Sequence, residues 1–193
     1  KTSNFGLTAE VWKRSSQAVF SPLGRNGTLV SSPPETTDTI EPDVFSAAPL
    51  GYYNLHGLPD TAEWYGQRAL AVAGSGPDYP VALMTRDLVK NGRAPGIVFS
   101  EACYGGYITE KREEESVALK FLSIGASCVV ASTSTSYGSV GMPLIGADLL
   151  GSYFWKHLKA GETAGAALQH AKLDLVTEMN KRQGFLDGED QKT

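Results

Sequence analysis

Two short segments carry residue types suited to nucleophilic chemistry. One is His56-Gly57, which follows the apolar run at residues 50–55 (LGYYNL). The other is Cys103-Tyr104-Gly105-Gly106, which follows residues 96–100 (GIVFS) and Glu101-Ala102. A thiol on a turn directly after an apolar strand is open to a substrate. The two glycines after it allow a sharp turn and close approach by another backbone. A strand-to-turn transition also leaves unpaired backbone N–H groups near the sulfur, where they could hold an oxyanion during acyl transfer. An imidazole at the end of a second strand can deprotonate the thiol and later protonate the leaving amine. Gly57 lets the N–H beside the histidine face the same oxyanion. Alone, Cys103 reads more readily as a buried hydrophobe, and His56-Gly57 as an ordinary turn. Together they form a candidate catalytic pair.

The rest of the chain offers little competing chemistry. It has 193 residues, of which 41% are hydrophobic and 20% charged, as expected for a single globular domain spanning 1–193. It opens at Lys1-Thr2-Ser3-Asn4 and stops at Gln191-Lys192-Thr193, and so reads as an excerpt of a longer protein. No apolar run reaches the roughly 18–20 residues of a membrane span, and no signal peptide is visible. The net charge of −4 argues against a nucleic-acid surface. The dense charge run at residues 110–115 reads as a solvated helix start. Two cysteines are too few for a disulfide scaffold or a zinc site, so no metal and no cofactor are expected. Cys128, in the apolar run 126–131, reads as an inert core residue. His157 and His170 fall within expected helices and are assigned no role.

Elements that alternate must position the pair. A helix is expected over 7–20, with an apolar stripe of Leu7, Val11, Trp12 and Val19. Strands are expected over 50–55, 96–100 and 127–132, with a short one over 70–72. A short helix is expected over 85–90, ended by Asn91-Gly92, and longer helices over 113–124, 146–158 and 163–179. The polar segments 31–38 and 74–80 read as loops. Strands apolar throughout and separated by helices indicate a parallel sheet covered on both faces. In such sheets chemistry collects beyond the carboxyl ends of the strands. His56, residues 101–106 and residues 132–138 all fall there.

The segments at residues 53–57 (YNLHG) and 97–106 (IVFSEACYGG) resemble the caspase-like clan of cysteine peptidases. Residues 85–103 are similar to the gingipain-type peptidases. Residues 121–134 and 154–172 are similar both to these and to the CHAT domains of the same clan, so the resemblance covers roughly 50–175. It implies an α/β fold, the caspase-like three-layer sandwich with a mainly parallel central sheet flanked by helices. It implies Cys103 as nucleophile and His56 as general base and acid, with the N–H groups of Gly57 and Cys103 as the oxyanion hole. It also implies that Glu101 lines the S1 pocket. A carboxylate there favours Arg or Lys at P1 through charge-assisted hydrogen bonds, although legumain-like members with Glu at this place take Asn. The residues after the next strand, Ser132, Thr133 and Ser134, are implied to pair with the substrate backbone; read on their own they are a polar loop. No third catalytic residue is identified, with Asp60 and Asn54 merely near His56 in sequence.

The expected function is a cysteine endopeptidase acting on protein or peptide substrates, with regulatory domains or a partner outside this segment. The alternative is a catalytically silent caspase-like module used for binding or scaffolding. A small-molecule-binding α/β domain ranks last, because no strand end carries a G-x-G-x-x-G or G-x-x-x-x-G-K-[ST] phosphate loop.

Overall fold

The structure, a computed structural model, describes residues 3–24, 26–70, 74–89 and 96–190, and the side chains of these as far as residue 184. Five strands form one parallel sheet: β1 (Phe5–Ala9), β2 (Thr28–Ser32), β3 (Leu50–Asn54), β7 (Ile97–Ser100) and β8 (Cys128–Val130), in the order β2-β1-β3-β7-β8. A small antiparallel sheet of β4 (His56–Gly57), β5 (Trp64–Tyr65) and β6 (Val81–Leu83) stands beside it. The helices are α1 (Lys13–Phe20), α2 (Asp43–Ala47), α3 (Val117–Ser123), α4 (Gly146–Lys159) and α5 (Ala164–Asp190). The chain is thus α/β with a parallel central sheet, as its strand pattern predicts. Among the described residues no helix is long and apolar enough to cross a membrane.

Successive strand residues point to opposite faces, and both faces are covered. Tyr53 and Val98 pack with Phe45 of α2 and Val117 and Phe121 of α3. Their neighbours Tyr52 and Phe99 pack with Val19 and Phe20 of α1, Phe154 and Trp155 of α4, and Ala167 and Ala171 of α5. Burying a large side chain of this kind contributes about 1.5–3 kcal/mol. These two layers hold β3 and β7 rigidly side by side.

Several expectations are corrected. The N-terminal helix begins only at Lys13; Leu7 belongs to the buried strand β1, and Val11 and Trp12 to a 3-10 turn at Glu10–Trp12. Strand β2 lies where no element is expected and runs into the start of the expected 31–38 loop. The helix expected over 113–124 is a 3-10 turn at Glu113–Glu115, then α3, because Ser116 is extended and caps α3 by accepting the Leu119 N–H. The helix expected over 85–90 is a 3-10 turn at Thr85–Asp87. Its proposed end at Asn91-Gly92, and the strand at 70–72 beyond Leu70, lie outside the described residues. Helix α5 outlasts the expected 163–179.

Candidate functional site

Strands β3 and β7 pair in parallel register, with Tyr53 opposite Ser100. His56 and Cys103 sit three residues beyond these partners, at the same end of neighbouring strands. The Glu101 N–H donates to the Tyr53 carbonyl (2.8 Å) and extends the pairing beyond the last strand residue. A Cβ added to Gly57 would strike the Cys103 carbonyl oxygen. The His-Gly and Cys backbones therefore abut, and only glycine fits at position 57. His56 and Cys103, both half-buried, line one pocket of about 130 Å³ with Trp12, Asn54, Glu101 and residues 136–139.

The imidazole is held on three sides. Trp12 packs on the ring at a centroid distance of 4.5 Å, and Tyr79 meets it edge-on at 5.5 Å. His56 Nε2 lies 2.8 Å from Gln67 Oε1, while Gln67 Nε2 donates to the Tyr79 hydroxyl (3.3 Å). With the Gln67 oxygen turned to His56, Nε2 is the donor of this bond. Gln67 is itself fixed, since its N–H donates to Ser32 C=O and its C=O accepts from Val11 N–H. Gln67 and Trp12 thus orient the histidine. Neither Asp60 nor Asn54 does so, and no sequence pattern links Gln67 to His56.

The Cys103 thiol faces residue 136. Its sulfur accepts the Ser136 N–H (3.2 Å), and its S–H donates to the Ser136 carbonyl (3.3 Å). Tyr104 has φ +55°, a left-handed conformation unusual for a side-chain-bearing residue. The strain of the turn therefore falls on Tyr104 rather than on the glycines. Gly105 and Gly106 instead permit close packing against Ala102 and Ala131. The N–H groups of Glu101, Ala102, Tyr104, Gly105 and Gly106 all have acceptors, whereas that of Cys103 has none among the described residues.

The backbone of residues 132–134 is partly engaged within the chain. The carbonyls of Ser132 and Ser134 already accept N–H groups from Gly106 (2.7 Å) and Tyr104 (2.9 Å). The turn after Cys103 folds back and occupies them. Ser132 and Thr133 line a larger groove of about 510 Å³ between β8, α4 and α5, and Ser134 lines neither pocket. Ser136, Tyr137 and Ala147 border both cavities.

Beneath the cleft lies a buried polar layer. Glu101 is 5% exposed and Asp148, from the first turn of α4, 0%. The Tyr52 hydroxyl donates to Glu101 Oε1 (2.7 Å), and Asn54 Nδ2 donates to Ser16 Oγ (3.0 Å) and Asp148 Oδ1 (3.4 Å). Ser139 gives Asp148 Oδ2 both its N–H and its hydroxyl. Burial pushes the Glu101 carboxyl well above its usual range, and the adjacent Asp148 pushes it further, against the Tyr52 hydrogen bond. Burial also raises Asp148, and the Ser139 donors and the hydrogen bond with Glu101 offset only part of that rise. Of the two, Glu101 is the one pushed further towards its protonated form. The sequence suggests a free Glu101 carboxylate; in the structure burial beside Asp148 favours its protonated form.

Neither the known protein-family models nor the curated proteins contain a match to this sequence.

Proposed function

We propose that this chain is a cysteine endopeptidase of the caspase-like type. The observation behind this reading is the matched placement of His56 and Cys103. They lie at equivalent positions beyond paired residues of adjacent strands, with Gly57 against the Cys103 backbone and one pocket between them. In the proposed cycle the thiol leaves Ser136 and gives its proton to His56 Nδ1. The thiolate attacks the substrate carbonyl, and the oxyanion is held by the N–H groups of Cys103 and Gly57. His56 then protonates the leaving amine, and water hydrolyses the thioester. Gln67 keeps the base in the correct tautomer throughout. The Glu101–Asp148 pair supplies a single negative charge under the cleft, which supports Arg or Lys at P1.

Fluorogenic peptides with Arg, Lys, Asn or Asp at P1, together with a peptidyl acyloxymethyl ketone, test this reading. Turnover of the basic peptides and labelling of Cys103 are expected, both lost in Cys103→Ala by at least about 1,000-fold. No turnover of any peptide, with Cys103 no more reactive than a free thiol, would overturn it. That outcome would favour the second reading, a silent caspase-like binding module. The resting bonds of the thiol to Ser136, and the occupied carbonyls of Ser132 and Ser134, support that alternative.

A further inference from the structure

The end of helix α4 and the start of α5 bring together side chains that take no part in the cleft. Helix α4 stops where Gly161 adopts φ +95°, a left-handed conformation that glycine accepts readily. Gly161 N–H donates to Leu158 C=O (3.0 Å) and Glu162 N–H to His157 C=O (3.3 Å). This paired closure is a Schellman motif. It folds Glu162 back over His157, and α5 then returns antiparallel with His170 alongside. His157 Nδ1 lies 3.0 Å from Glu162 Oε1, and His170 Nδ1 lies 2.7 Å from Glu162 Oε2. The two imidazole rings are 5.4 Å apart between centroids. One donor atom from each of the three residues falls within 4.8 Å of the others.

We propose that His157, Glu162 and His170 form a binding site for a divalent transition-metal ion of the zinc class. Two imidazole nitrogens and one carboxylate oxygen are a donor set that Zn²⁺ accepts, with water in the fourth position. Zinc–ligand bonds of about 2.0–2.2 Å place neighbouring ligands of a tetrahedral ion about 3.3 Å apart. The histidines now contact different oxygens of Glu162, and the three donor atoms lie within 4.8 Å of one another, so they must draw in by up to about 1.5 Å around a single carboxylate oxygen. Entry of the ion replaces the hydrogen bonds that Glu162 now makes with the two Nδ1 atoms. An outer partner is also in place. His157 Nε2 donates to Asp174 Oδ2 (2.9 Å), which fixes the ring and leaves Nδ1 for the metal. Lys156 approaches the same Asp174 oxygen at 3.9 Å and stays outside the donor set. The ion would staple α4 to α5 at their connecting turn.

The site is tested on the whole chain, stripped with chelator and titrated calorimetrically with Zn²⁺. One equivalent binding at micromolar or tighter affinity, with a rise in melting temperature, is expected. The half-exposed His170→Ala should weaken binding at least thirtyfold. Asp174→Asn should weaken it about 10–100-fold, as loss of an outer partner does. Cys103→Ala should leave it unchanged. Absence of saturable binding at 100 µM Zn²⁺ would overturn the proposal. So would affinity that falls in Cys103→Ala but not in His170→Ala. Failure here leaves the peptidase reading untouched, because the labelling and turnover assays do not involve these residues.

Discussion

The cleft and the α4–α5 turn hold similar inventories, histidine with carboxyl groups, in opposite surroundings. Beneath the cleft, Glu101 and Asp148 are shut away from water, so burial dominates and lifts both carboxyls. At the turn, the His157 side chain is 18% exposed, Glu162 26% and His170 50%. There the hydrogen bond to Asp174 raises His157, while the two histidines outweigh desolvation and lower Glu162. In the first region low dielectric keeps a proton on an acid. In the second, groups within reach of water pair directly, which favours the charged forms of His157 and Glu162. Which groups share a cluster matters less than how much water reaches them.

The glycines of the two regions give the sharpest test of this contrast. Gly57 is buried, and an added Cβ meets a backbone carbonyl that cannot swing aside. Gly57→Ala should destabilise the fold by about 3 kcal/mol through overpacking. It should also slow labelling of Cys103 more than tenfold, because the His-Gly and Cys backbones are forced apart. Denaturant unfolding followed by a labelling time course measures both. Wild-type stability would show that the two strand ends are not in contact in solution.

The parts of this architecture that are legible in the sequence are those encoded locally. The apolar runs of β3, β7 and β8, and the helical patterns of α4 and α5, lie where the residue pattern puts them. The two strand-end motifs also meet as predicted, because parallel register carries Tyr53 and Ser100, and hence His56 and Cys103, to one edge. Strand β1 is hidden because Leu7 falls in helical phase with Val11, Trp12 and Val19, although it is a strand residue. Gln67 and Asp148 are invisible for a different reason. Each reaches its partner only through tertiary packing, Gln67 through the backbone of Ser32 and Val11, and Asp148 through the start of α4. The turn cluster likewise depends on how the Schellman closure aims Glu162, which no residue spacing announces.

The buried pair makes a prediction in pH. A carboxyl raised by folding contributes stability that is fully present below the ordinary carboxylate range, about pH 4.3. That stability is lost as pH rises towards the native value. For the wild type, the raised Glu101 and Asp148 should therefore erode stability as pH climbs from about 4 through neutrality. Glu101→Gln imitates the protonated acid, with an amide that can still donate to Asp148 and accept from Tyr52. It should flatten this decline, and its advantage over wild type should grow with pH. Melting curves across pH 4–9 decide the matter. Parallel profiles for the two proteins would mean that Glu101 is ionised and unpaired, returning it to the simple carboxylate suggested by the sequence.

The mildest perturbation belongs to the other region. Gly161 is exposed and nothing lies within 4 Å of an added Cβ, so Gly161→Ala meets no clash. Its only penalty is the left-handed backbone at φ +95°, about 1–2 kcal/mol for a residue bearing a side chain. Equilibrium unfolding should show that loss, while the rate of Cys103 labelling stays at the wild-type value. The two glycines then separate by mechanism, one opposing a collision in the core and the other an unfavourable torsion at the surface. A slowed labelling rate in Gly161→Ala would break the contrast. It would mean that strain at the far end of α4 reaches the cleft through Asp148, and that the helix couples the two clusters instead of merely carrying both.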